Sequence, residues 1–384
     1  MIMTRRSRTL LAAACTAGLV LTGGAAPAFA GDTADHDRDG GFTQTNLVSN
    51  IPDKATHTDH NLHNPWGIST APGLPLWVSD NGTGVSTLYD GAGNPAPSSS
   101  PMVVTIPAPS AAGPSATGTP TGTVVNPDFS TGQGFMVSEA GVSSAPSHFL
   151  FATEDGTLAG WSQKVDATRA VIAVDRSTAT DPDGDVGAVY KGLTLASSNG
   201  RQFLYATNFR FGQVEVFDSS FNTVRTFTDP RLPSGYGPFG IQNINGRLFV
   251  TFAKQDAEKH DDVAGQGNGF VDVFSTSGDL LQRFATRGQL DSPWAVTQAP
   301  STLPVVGGDI LVGNFGDGHI NAFSRDGHFI RALRDTNGQT ISIPGLWDLK
   351  FPTGSLNVAA NALYFTAGIN SEADGLFGTL TTSQ

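Results

Sequence analysis

The sequence predicts an all-β chain folded as a six-bladed β-propeller. Three observations carry that reading: an excess of backbone punctuators, a three-part unit that recurs six times, and a strand-like N-terminal run with no unit of its own. The 384 residues hold 46 Gly and 23 Pro, with only 15% charged residues. Average usage is about 7% Gly and 5% Pro, so the chain is rich in turns. It lacks the triplet period of collagen and the charge of a disordered chain, and it has too many breakers for a helical bundle.

Each unit opens with Pro or an aromatic, then a small residue and an apolar one. The openings are Pro65–Ser69, Pro120–Val124, Tyr190–Thr194, Pro238–Gln242, Pro293–Thr297 and Leu346–Lys350. Second segments with strand character follow at Leu76–Asp80, Leu150–Glu154, Leu204–Asn208, Phe249–Phe252, Ile310–Asn314 and Leu363–Ala367. Third segments lie at Val85–Gly93, Leu158–Gln163, Val214–Ser219, Phe270–Gly278, His319–Gly327 and Gly375–Thr381. Five units have a fourth segment, and the sixth has none. Phe42–Ser49 supplies it, so an N-terminal strand completes the last blade and closes the ring.

The reference positions are Gly67, Gly122, Gly192, Gly240, Ala295 and Asp348, spaced by 55, 70, 48, 55 and 53 residues. Propeller repeats run about 40–50 residues, so the excess marks surface insertions such as Ala92–Ser115 and Gln255–Asn268. Inner strands crowd round one axis, and a missing side chain lets their backbones approach. Asp348 breaks the series, and its carboxylate is a candidate to point into the channel.

Residues 1–30 read as a signal peptide. Arg5, Arg6 and Arg8 precede an apolar run from Leu10 to Leu21, and Ala28-Phe29-Ala30 offers a small-x-small cleavage site. Export through the Sec route is expected, with the Arg5-Arg6 pair a partial twin-arginine signal. Cleavage takes the formal charge from −12 to −15 and removes Cys15, the only cysteine. An acidic surface disfavours nucleic acid and anionic lipid. The expected product is a secreted monomer: a flexible polar N-terminus over 31–41, then one propeller domain over 42–384.

The segments PWGIS, VSDNGTGVSTLY, FATEDGTLAGW, ATNFRFGQVEVFD, AKQDAEKHDDVAGQGNGFVDVF and VGNFGDGHINAF resemble an uncharacterised family of exported bacterial proteins with six-bladed propellers. The resemblance covers roughly residues 42–381. More distantly the chain is similar to NHL-repeat and gluconolactonase/regucalcin propellers. That second resemblance implies a divalent metal in the channel and lactone hydrolysis. The lactonase group has an acidic residue just before its first-blade Pro-x-Trp element, where this chain has Asn64-Pro65-Trp66.

In a propeller, the loops between second and third strands open on the same face as the entries to the first strands. Second segments end here in Asp80, Glu154, Asn208 and Asn314, an oxygen-rich set suited to Ca2+. The same residue types also make tight turns. The stretch Lys254–Asn268 concentrates Lys254, His260, Asp261 and Asp262, a candidate ligand-binding or proton-transfer group. Trp66, Trp294 and Trp347 recur at the openings, as inter-blade core or as stacking platforms. His57, Asp59, His60 and His63 form a further cluster, whose histidines three apart would suit zinc on a helical turn, but the segment reads as a loop entering the first strand. No mature cysteine, Gly-x-Ser-x-Gly, HExxH or phosphate-loop motif is present.

These features favour a binding or scaffold protein that uses the polar channel face for an extracellular small molecule, glycan or protein. The alternatives are a Ca2+-dependent hydrolase or lyase of the lactonase type, with His260 or Asp348 as catalytic candidates, and a structural module of the cell envelope.

Overall fold

The computed structural model describes residues 40–382 apart from 114, 353 and 360. The expected signal peptide over 1–30, and all but the last two residues of the 31–41 segment, lie outside the described residues. No helix among the described residues is long and apolar enough to cross a membrane.

Six antiparallel sheets of four strands or more surround an axis, one for each repeat. Blade one runs through Pro65–Ser69, Leu76–Asp80, Val85–Tyr89 and Val103–Thr105, from the axis outward. Blade two uses Pro120–Val125, Phe149–Thr153, Thr157–Trp161 and Val171–Asp175. Blade three uses Tyr190–Ser198, Arg201–Asn208, Gln213–Phe217 and Thr223–Phe227, and blade four Tyr236–Ile244, Arg247–Lys254, Gly269–Phe274 and Leu280–Thr286. Blade five uses Pro293–Gln298, Ile310–Asn314, Ile320–Phe323 and Phe329–Ala332.

Blade six holds Leu346–Lys350, Leu363–Ala367 and Leu376–Thr382, and its outer strand is Phe42–Ser49. That strand pairs antiparallel with the last one, from Phe42 opposite Thr382 to Ser49 opposite Leu376. The closure expected from the unpaired N-terminal run is therefore present, and it fastens the two ends of the ring through backbone hydrogen bonds. His57–Thr58 adds a short parallel fifth strand. The 70-residue gap after Gly122 is filled partly by a small ribbon, Met136–Val137 against Ala145–Pro146, which the repeat pattern did not announce.

Burial falls from the axis outward. Inner strands such as Pro65–Ser69 are buried throughout, whereas Thr223–Phe227 and Phe329–Ala332 on the rim are largely open. Apolar side chains alternate into the seams. Tyr205, Val216, Ile241 and Val250 fill the seam between blades three and four, and Phe249, Val271, Val296 and Val312 the next.

The small residues at the openings act at the seams as the crowding argument requires. A Cβ on Gly67 would lie 2.8 Å from the Thr121 carbonyl oxygen, and one on Gly192 2.9 Å from that of Phe239. Asp348 occupies the equivalent position and points the same way. Its Oδ2 accepts from the Ile68 N–H across the seam to blade one (2.8 Å), and its Oδ1 from the Leu349 N–H (2.8 Å). The carboxylate fastens blade six to blade one, which corrects the expectation that it projects into the channel.

Every inner strand is bulged beside that small residue. Pairing skips between Pro65 and Ile68, Tyr190 and Gly192, Pro238 and Ile241, Pro293 and Ala295, and Leu346 and Leu349, with the matching skip in blade two opposite Thr121. A bulge bends the strand and re-aims its side chain. The residues released are Trp66, Thr121, Lys191, Phe239, Trp294 and Trp347. Trp66 and Trp347 stack at 3.4 Å, and Trp294 meets both edge-on at 6.1 and 5.9 Å. Phe239 packs on Trp347 at 5.9 Å. Rings from four blades thus meet across the axis and fill the channel with an apolar plug.

Candidate functional site

The channel face formed by strand entries and by second-to-third-strand loops gathers polar groups above this plug. At its centre is Lys191, a fully buried lysine on an inner strand. Its ammonium pairs with Glu154 of blade two and, at 3.2 Å, with Asp261 of the blade-four loop. The same ammonium lies 5.2 Å from the Trp66 ring centre and 5.9 Å from that of Phe209. The Trp294 indole N–H donates to the Lys191 carbonyl (3.0 Å), so blade five holds the lysine's backbone from across the axis.

Amides extend the cluster. Asn81 Nδ2 donates to Glu154 Oε2 (2.8 Å), and Asn64 Nδ2 to Glu372 Oε2 (2.8 Å). The Trp347 indole N–H donates to Asn64 Oδ1 (2.8 Å), which ties the plug to the polar layer. Phe315 stacks on Trp347 at 4.0 Å.

The loop carrying His260, Asp261 and Asp262 is folded and anchored. Asp256 accepts from the His260 N–H (2.9 Å), and the Asp256 N–H donates to the Asp261 carbonyl (2.9 Å). Lys259 Nζ reaches Asp185 Oδ2 at 2.6 Å, and Gln255 Nε2 donates to the Phe209 carbonyl at 2.6 Å. These bonds fix the loop against blade three and place His260 Nδ1 2.9 Å from Asp261 Oδ1. Lys254 stands exposed at the strand end, with its side chain outside this group.

Charge interactions divide the acids into two kinds. The hydrogen bond from His260 and the charge of Lys191 hold the Asp261 carboxyl well below the usual range. The same bond to Asp261 raises the His260 imidazole. Burial pulls the Lys191 ammonium down, but the charges of Glu154 and Asp261 outweigh it and leave it raised. Burial pushes Asp262 up to about 6 and also raises Glu372. The face therefore holds anions pinned by a lysine beside acids that titrate closer to neutrality.

The four strand-end residues proposed as a calcium ring are separated by register. Pro65 pairs with Asp80, Tyr190 with Asn208 and Pro293 with Asn314, but Pro120 pairs with Thr153. Glu154 is one residue further on, equivalent to Asn81, Phe209 and Phe315. A one-residue step reverses the side-chain direction in a strand. Asp80 is buried inside blade one, where Thr87 donates to its Oδ2 (2.8 Å) and burial pushes its carboxyl well up. Asn208 donates to the buried Glu215 (3.0 Å), which also takes the Tyr190 hydroxyl (2.6 Å) and Arg176 (3.1 Å). Asn314 donates to the Gln289 carbonyl and to Asp317.

Glu154 is instead brought together with His260 and Asp261. One ligand atom from each lies within 4.8 Å of the others, the group of this kind found among the described residues. The tryptophans form the floor beneath the cluster, each at least nine-tenths buried. In the His57–His63 segment, Asp59 takes the Tyr89 hydroxyl (2.8 Å) and His63 Nδ1 lies 2.9 Å from the Ala373 carbonyl, so both are tied to local structure.

Sequence reasoning missed Lys191, Asn64, Asn81 and Glu372. The signal for Lys191 was available: it is the one charged residue at the position where Trp66, Phe239, Trp294 and Trp347 recur. A charge on a fully buried strand calls for partners.

No known protein-family profile matches the chain. Two uncharacterized proteins of Acanthamoeba polyphaga mimivirus are similar to it over 347 residues each. One is 31% identical, covering 88% of this chain and 80% of its own length; the other is 32% identical, covering 88% and 85%. Among solved structures, a streptogramin B lyase aligns with a TM-score of 0.46 at 12% identity, over 89% of this chain and 97% of its own. A luciferin-regenerating enzyme aligns with a TM-score of 0.49 at 12% identity, over 89% and 95%. Neither likeness bears on activity. The expected bacterial origin of the family is not supported, because the matching relatives are viral proteins. The chain belongs to the propeller family of these mimivirus proteins.

Proposed function

We propose that this member of the family is a binding protein whose channel face takes a small amine-bearing molecule. The observation that carries this reading is the buried Lys191 held between Glu154 and Asp261 at the centre of the face. A fixed internal ammonium already satisfies the acidic cluster there, and the chemistry it satisfies is that of an organic cation. Glu154, Asp261, Asp262 and Glu372 outnumber Lys191 and His260, so the face retains acceptor oxygens and negative charge for a second cation. The aromatic floor favours the same ligand, because rings attract ammonium groups. Export to the cell exterior is part of the proposal and is supported by the basic, apolar and small-residue order of residues 1–30.

A second reading is favoured by the grouping of Glu154, His260 and Asp261: a divalent cation such as Ca2+ or Zn2+, serving the alternative hydrolase or lyase activity. That cation has to displace or share the place of the Lys191 ammonium. Calorimetry and thermal melting with ethanolamine and putrescine, against matched carboxylates and against Ca2+ with EDTA reversal, separate the two. The amine reading expects a dose-dependent rise in Tm, abolished by Asp261→Asn combined with Glu372→Gln. It is overturned if the amines give no shift and a divalent cation does.

A further inference from the structure

The plug leaves a second mouth at the opposite end of the channel, where the inner strands finish. A cavity of about 210 Å³ opens there, lined by Ser69, Thr123, Thr194, Gln242, Asn243 and Lys350 from five blades. It shares none of these residues with the cluster around Lys191. We propose that this lower mouth is a separate binding site for a compact anion rich in acceptor oxygens, a phosphate or a small hydroxy-carboxylate, with Lys350 as its anchor.

The argument rests on a surplus of donors. An ammonium carries three N–H groups. Lys350 spends one on Gln242 Oε1 at 2.5 Å, and its other neighbour, Asp348 Oδ2, lies at 3.7 Å, beyond hydrogen-bond reach. The Asp348 oxygens are already engaged by the N–H groups of Ile68 and Leu349. Two Lys350 donors therefore remain for the cavity. Thr123 is buried, and its hydroxyl has no hydrogen-bond partner. A buried hydroxyl without a partner is costly; this one is closed to the cavity as it stands, and a turn about the Cα–Cβ bond would bring it to a ligand oxygen there. Gln242 lines the same cavity, with its oxygen turned to Lys350. Asn243 is committed, donating to the Leu195 carbonyl and accepting from the Gly246 N–H, so it shapes the wall.

The size sets the class. The cavity is smaller than the roughly 300–1,000 Å³ pockets that enclose drug-sized ligands, so the occupant is an ion or a molecule of a few heavy atoms. Lys350 is the only charged side chain among the lining residues; its ion pair with Asp348 at 3.7 Å offsets part of its charge, and an anion is what the remaining charge and the free N–H donors select.

The test is titration of the full chain with inorganic phosphate and, separately, with glycerate, at constant ionic strength set by chloride, read by calorimetry. The expected result is saturable binding of at least one anion, weakened at least tenfold by Lys350→Met and at least threefold by Thr123→Val. Circular dichroism and melting establish that each variant is folded. If Lys350→Met fails to fold, Thr123→Val alone decides. Binding of phosphate without glycerate, or the reverse, identifies the anion. The proposal is overturned if neither anion binds, or if both folded variants bind as the wild type does.

Discussion

Replacing Lys191 with methionine tests the centre of the channel face. The lysine side chain is 2% exposed and its partner Glu154 11%, so both charges sit largely out of water. Breaking a buried pair by removing one member costs about 3–5 kcal/mol, because the remaining charge is left uncompensated. Asp261 is 67% exposed, so water screens its share. Asn81 still donates to Glu154 in the variant and softens the loss. The lower end, about 3 kcal/mol, is therefore expected at pH 7. With about 2.1 cal/mol/K of unfolding entropy per residue over about 340 residues, that is a fall in Tm of roughly 4 °C. Calorimetric melting measures it. Adding Glu154→Gln to Lys191→Met should recover at least half of it, since no unpaired charge then remains. A Lys191→Met protein as stable as the wild type at pH 7 would refute the reasoning.

Two further predictions follow from seam and face. Gly67→Ala should cost about 3 kcal/mol in chemical denaturation, because the new methyl meets backbone of blade two on every side, with the Thr121 oxygen at 2.8 Å and the Thr123 nitrogen at 2.9 Å. Asp262→Asn should stabilise the protein by about 1–2 kcal/mol at pH 7 and by nothing at pH 4. Burial raises this carboxyl from near 3.8 to about 6. The folded state thus holds the proton more tightly, and the stability this brings is complete below pH 4 and lost as pH rises through 6. Urea melts of both proteins across pH 4–7 check the sign; a variant that parallels the wild type at every pH would contradict it.

The architecture was legible because it is repeated. Six openings, five of them with a small third residue, reported the crowded axis, and the unmatched Phe42–Ser49 reported the closure. The candidate site was legible only in its loop. His260, Asp261 and Asp262 stood out by composition, and they do reach the channel face. The strand-end oxygens misled for a physical reason. Glu154 ends its segment as Asp80, Asn208 and Asn314 end theirs, but its strand pairs one residue out of step with those three. Period-two side chains make such a slip total: three members turn into their own blades and the fourth faces the axis. Pairing register is a property of two strands, and no single segment contains it.

The bulges explain why the two mouths are to be treated as separate sites. Each one swings a residue toward the axis at the same level, and five of the six are large: Trp66, Lys191, Phe239, Trp294 and Trp347. Their rings pack with centroids 3.4 to 6.1 Å apart, and Trp66 and Trp347 are almost wholly buried. A molecule at the upper mouth therefore meets an aromatic floor and has no path to Lys350. The inner strands remain a mechanical link: Ile68, whose N–H binds Asp348 beside Lys350, is two residues from Trp66 under Lys191. Amine titrations repeated at saturating phosphate would measure that link. The packed plug predicts a change in amine affinity of less than twofold, because moving Trp66 would disturb Trp294 and Trp347 together.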